Sequence, residues 1–136
     1  MSVWEFMDYV SASGQNRILD WYEAQELEAQ VAFDQTVYAL RRIRDWHGRW
    51  QIKPLTKTHA GLWQVRFKIG RAENEIKYRP VGIVTRDARV SPTGQFVLLL
   101  GCQKKLGQYS PPAAFDEALE LKRDFEAGRG DLYEHF

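Results

Sequence analysis

The hydrophobic positions of this chain follow first a helical and then a strand period. WEFMDYV, Trp4 to Val10, predicts a short strand, and SASGQN, Ser11 to Asn16, supplies turn and capping residues ahead of a helix. From Arg17 to about Trp46 there is neither proline nor glycine. Ile18, Leu19 and Tyr22, then Leu27, Val31, Phe33, Val37, Leu40 and Ile43, recur at spacings of three and four. That pattern predicts one helix, or two with a bend near Gln25 and Glu26, running until Gly48 stops it. The period changes at GLWQVRFKIG, residues 61–70, where Trp63, Val65, Phe67 and Ile69 fall on one face of a strand and Gln64, Arg66 and Lys68 on the other.

Gly70 to Asn74 reads as a turn and Glu75 to Val84 as the returning strand of a hairpin, with Pro80 marking an edge or a bulge. After a loop from Thr85 to Gly94, the nearly continuous apolar run QFVLLLGC predicts a central strand. Pro112 opens a last helix with Phe115, Leu119 and Phe125 on one face and Gly128 as its stop. The order β, α, α, β, β, β, α argues for an α+β fold: a small antiparallel sheet with N-terminal helices and a C-terminal helix, grouped against one face. Residues 1–136 read as a single domain.

Composition narrows the function classes. The lone Cys102 excludes an internal disulfide and a thiolate metal site, which points to a reducing cytoplasm. No apolar run reaches the length of a membrane span, and Glu5 and Asp8 stand where a signal peptide carries cations, so a soluble protein with no membrane partner is expected. The net charge of +1 conceals a segregation. Residues 1–40 carry seven acids against Arg17 alone, and residues 108–136 seven against three basic residues. Residues 41–107 carry fifteen Lys and Arg against four acids, a balance suited to a polyanion unless acidic helices pack over the basic sheet and neutralise it.

Candidate chemistry follows from that centre. GCQKKLG lacks the P-loop spacing, and Gly70 with Gly82 makes no dinucleotide fingerprint. Asp131, Glu134 and His135 read as a frayed acidic tail rather than metal ligands, His47 beside Trp46 as a helix cap, and neither a metal nor a cofactor is expected. The cations that remain are Lys53, Lys57, Arg66, Lys68, Lys77, Arg79, Lys104 and Lys105. If the hairpin aligns Arg66 and Lys68 with Lys77 and Arg79, like charges crowd one face and an anion relieves their repulsion. A phosphodiester backbone suits that face, because Arg grips phosphate bidentately and Lys acts as a point charge. Trp50, Trp63, Tyr78 and Tyr109 lie among these cations, with Trp63 and Tyr78 read as core and Tyr109 as a stacking candidate.

KPL (Lys53 to Leu55), GLWQVRF (Gly61 to Phe67), Tyr78–Arg79 and VLLLGCQKKLGQYSPPAAFDEAL (Val97 to Leu119) together resemble the RelE/HigB toxin superfamily of type II toxin–antitoxin systems, especially its phage-derived branch. The resemblance implies a RelE-like, microbial-ribonuclease-like fold. It implies a toxin acting as a ribosome-dependent mRNA endonuclease by metal-free 2′-OH transesterification. Its expected partners are the ribosome, mRNA and an antitoxin of the helix-turn-helix type. On this reading Arg66 and Arg79 stabilise the phosphorane, Lys53, Lys57 or His59 supplies the base, and Lys68, Lys77, Lys104, Lys105 and Tyr109 hold RNA. The chain departs from the family where a His usually precedes the Gly and a Phe follows it, having Leu100 and Cys102. A non-catalytic RNA-binding or protein-inhibiting module of phage origin, and a gyrase-directed ParE-like toxin, are the alternatives.

Overall fold

The computed structural model describes residues 2–135. β1 (Trp4–Val10) is followed by α1 (Arg17–Glu23) and α2 (Leu27–Arg41), so the bend expected near Gln25 and Glu26 separates two helices. Asn16 starts α1 as an N-cap, its side chain accepting from the Leu19 N–H. α2 stops at Arg41, short of Gly48, because Trp46 folds back: its indole N–H donates to the Leu40 carbonyl, and its ring stacks on Trp4 at 3.7 Å. Residues 42–50 are therefore loop, and His47 caps no helix.

The remaining strands are β2 (Ile52–Pro54), β3 (Trp63–Val65), β4 (Phe67–Ile69), β5 (Ile76–Tyr78), β6 (Val81–Arg86), β7 (Gly94–Leu100), β8 (Gln103–Lys105), β9 (Gln108–Ser110) and β10 (Asp131–Glu134), with α3 (Ala114–Glu126) before the last. They form a six-stranded sheet in the order β10-β1-β7-β6-β3-β2 and a four-stranded sheet in the order β4-β5-β8-β9. Three chain segments run through both sheets and break at Arg66, at Arg79–Pro80 and at Gly101–Cys102. The expected hairpin is thus bent in the middle, where Pro80 has no N–H to offer a ladder.

Three expectations are corrected. The sheet is not wholly antiparallel, since β1 and β7 run parallel. The C-terminal tail does not fray: β10 pairs with β1, and His135 is buried with its Nδ1 2.6 Å from Asp8 Oδ1. The helices do not share one face. Trp4, Phe6, Val65, Phe67, Tyr78, Phe96 and Leu98 pack with Ile18, Ala29, Phe33, Val37 and Leu40 of α1 and α2. Tyr9, Val81, Ile83, Val97 and Leu99 pack instead with Ala114 and Ala118 of α3. Buried on both sides, β7 reads as a continuous apolar run, as its central position requires.

Candidate RNA-backbone site

The site is built on the four-stranded sheet β4-β5-β8-β9. Its apolar side, Phe67, Ile69, Ile76 and Tyr78, lies against α1 and α2, with Phe67 stacked on Tyr78 at 4.8 Å and Phe33 5.8 Å from Phe67. Period-two alternation therefore turns Lys68, Lys77, Lys104 and Tyr109 to the other side. The register makes them a row across four strands: Lys68 is opposite Lys77, Lys77 opposite Lys104, and Lys104 opposite Tyr109. The side chains of Lys68 and Lys77 are about half exposed, at 55% and 46%.

Arg66 and Arg79 occupy the next rung, where both strands break. Arg79 is 5% exposed and donates to the carbonyls of Tyr78 and Phe67. Its own carbonyl accepts from the Cys102 thiol, and its N–H donates to Cys102 O at 2.8 Å. Burial, and then the charge of Arg66, push its guanidinium below the ordinary arginine range. It stays charged nonetheless, as arginine does in proteins. Among the described residues the buried Arg66 Nε has no hydrogen-bond partner, and neither has Oε1 of Gln64 on the same strand face. The Trp50 ring lies across these cations, 4.9 Å from Arg66, 5.7 Å from Arg79 and 5.8 Å from Lys68.

The acidic helices do not neutralise this face. Among the described residues no carboxylate of α1, α2 or α3 forms an ion pair with Arg66, Lys68, Lys77, Arg79 or Lys104; on α3, Glu117 pairs with Arg17, Glu126 with Lys122 and Asp124 with Arg129. One acid does reach the row, because Glu75 shares a strand face with Lys77 and lies 3.9 Å from it and 3.7 Å from Lys68. That partner was readable from its spacing of two before Lys77. Arg66 and Arg79 have no ion-pair partner among the described residues.

The flank of the site is built by α3 and the 55–62 loop, which the Leu55 N–H closes onto Leu62 O. Tyr109 packs edge-on against Phe115 at 4.9 Å, and His59 meets the same ring at 5.3 Å. His59 Nε2 lies 3.0 Å from Asp116 Oδ1. Burial raises the Tyr109 phenol, and the nearby arginines only partly offset this, so it holds its proton at neutral pH. Asp116 is a residue the sequence reading missed, since an acid in the first turn of a helix needs no partner beyond the helix dipole.

Lys53 is opposite Gln64 and so shares the face of Arg66. Lys57 is exposed in a short 3-10 turn with φ of +58°. Lys105 is one residue on from Lys104 and faces away from the row, while His47 lies in the 42–50 loop. Burial also raises the Cys102 thiol to about 12, and Leu100 is 1% exposed, so the end of β7 brings no titrating group to the site near neutral pH. Among the described residues no group of three or more His, Cys, Asp or Glu is placed to share a metal ion, and no helix is long and apolar enough to cross a membrane. No family model, curated protein or solved structure matches the chain.

Proposed function

We propose that this protein is a toxin-type endoribonuclease that cleaves ribosome-bound mRNA, with the cationic face holding the RNA backbone and the Arg66–Arg79 rung holding the scissile phosphate. The observation that carries the reading is the rung itself: two adjacent guanidiniums, one of them buried, with no carboxylate in ion-pair contact with either among the described residues. Such an arrangement is unfavourable when empty and relieved by an anion. In the reaction the 2′-OH loses its proton and its oxygen attacks the adjacent phosphorus. The bond to the departing 5′-oxygen breaks, that oxygen takes up a proton, and a 2′,3′-cyclic phosphate is left. Arg66 and Arg79 stabilise the charge of the phosphorane. His59, oriented by Asp116, accepts the first proton, and Tyr109, protonated at neutral pH, gives its phenolic proton to the leaving oxygen.

A second reading, an RNA-binding module without cleavage, is favoured by one observation: Leu100 is buried where the resembled family usually has histidine. Expression without a partner, followed by mapping of message ends, separates the two. Growth arrest with 2′,3′-cyclic phosphate ends on ribosome-bound message supports the endonuclease. Intact messages at high soluble expression leave the binding module.

A further inference from the structure

Trp50 borders a second feature. A cleft of about 570 Å³ opens at the β2 edge, against the core shared with α1 and α2. Four of the five tryptophans line it: Trp4, Trp46, Trp50 and Trp63. Trp4 and Trp46 form a fixed wall, stacked on one another with both indole N–H groups donating to main-chain carbonyls, those of Arg44 and Leu40. Trp63 is partly buried and meets Trp46 edge-on at 6.3 Å, while Trp50 is 45% exposed. Among the described residues neither Trp50 nor Trp63 has a hydrogen-bond partner for its indole N–H.

The charges at the rim divide into engaged and open. Arg44 donates to the carbonyls of Ala88, Ser91 and Pro92, which fastens the 87–93 loop as one wall, and Arg89 is held by Asp87. Arg49, Lys53 and Arg66 have no carboxylate within ion-pair reach among the described residues. An aromatic cleft with open cations at its mouth suits a flat aromatic group joined to an anion, and its volume falls in the range of about 300–1,000 Å³ that takes a small organic ligand. A nucleotide has that composition: a base to stack on indoles and hydrogen-bond at its edge, and a phosphate for the cations. Trp50, Lys53 and Arg66 belong to both the cleft and the cationic face, so a strand gripped at the rung reaches the cleft without a gap.

We propose that the tryptophan cleft holds the base of the nucleotide next to the phosphate gripped by Arg66 and Arg79, an inference that rests on the reading of that face as an RNA-backbone site. The test titrates uncleavable 2′-O-methyl RNA oligonucleotides, intact or with one abasic position moved along the strand, into the full chain while tryptophan emission is read. One abasic position should weaken binding roughly 5- to 150-fold, the worth of one stacked base, and remove the emission change. Thr56→Trp, at the exposed mouth of the cleft, should reduce that penalty to less than about twofold, the residue of a stack that no longer forms. Equal binding of every abasic strand overturns the proposal, as does a penalty that survives in Thr56→Trp. Saturable quenching by a free mononucleotide but not by the oligonucleotide also overturns it, assigning the cleft to a free ligand. An abasic penalty without message cleavage sinks the endonuclease and leaves the subsite, whereas cleavage with no abasic penalty does the reverse.

Discussion

Arg66 and Arg79 stand side by side at the break between the two sheets, one rung beyond the Phe67–Tyr78 pair, with the Trp50 ring across both. The two are not equivalent. Arg79 is buried and donates to two carbonyls, whereas Arg66 is half-buried with an unpartnered Nε. Arg66→Ala should therefore lower single-turnover cleavage by about two orders of magnitude, the scale of a lost oxyanion donor, while stability holds or rises as the repulsion disappears. Arg79→Ala should lose activity and also about 1–3 kcal/mol of stability, because it strands buried carbonyls. Single-turnover rates together with denaturant melts check both, and wild-type cleavage by Arg66→Ala removes it from the mechanism.

The exposed lysines predict a salt effect rather than a folding effect. Lys68→Glu should weaken RNA binding and reduce the slope of log affinity against log salt by about one, with stability changed by less than about 0.5 kcal/mol. Glu75→Gln should act in the opposite direction, since Glu75 is the carboxylate that competes with RNA for Lys68 and Lys77. Binding isotherms at several salt concentrations decide it. A lower melting temperature for Lys68→Glu with an unchanged slope means that the row is basic for structural reasons.

The features legible in the sequence were those set by local pattern. Alternation along residues 63–69 placed Phe67 in the core and Lys68 outside, and the short turn set the hairpin register that puts Lys68 opposite Lys77. What stayed hidden depends on long-range partners. His59 and Asp116 are 57 residues apart, and nothing in either segment announces the other. The pairing of β10 with β1, and the placement of α3 on the face away from α1 and α2, are likewise tertiary outcomes that an amphipathic pattern leaves open. The end of α2 before Gly48 is hidden in the same way, because a tryptophan folding back onto Leu40 O overrides a helix-compatible sequence.

Gly101 ties the fold to the site. A Cβ at this position would lie 1.9 Å from the Trp21 ring, whose indole N–H donates to Gln103 Oε1 across the break between β7 and β8. Gly101→Ala should cost about 1–3 kcal/mol through overpacking. Because Cys102 O and Sγ hold the backbone of Arg79, the same change should also weaken RNA binding. A thermal melt and a binding isotherm on this variant test the coupling. Destabilisation with unchanged RNA affinity separates the break from the cationic rung.

Cys102 sets the alkaline limit. Its thiol is raised from the ordinary 9.0 to about 12 by burial, so the folded chain keeps a proton that the unfolded chain releases. The stabilisation is complete below pH 9 and is lost as pH climbs towards 12. Across that window stability should fall by up to about 1.4 kcal/mol per pH unit from this group. Cys102→Ala should flatten the decline, although it starts from a lower stability because the bond to Arg79 O is gone. Tyr22, raised to about 12 by burial and by its hydrogen bond to Asp34, adds a decline of the same sign that survives the substitution. Denaturant melts from pH 8 to pH 11 on both proteins measure the difference in slope. Parallel curves would mean that the thiol already ionises in the native state, and with it that the Arg79 carbonyl is not held by a protonated Cys102.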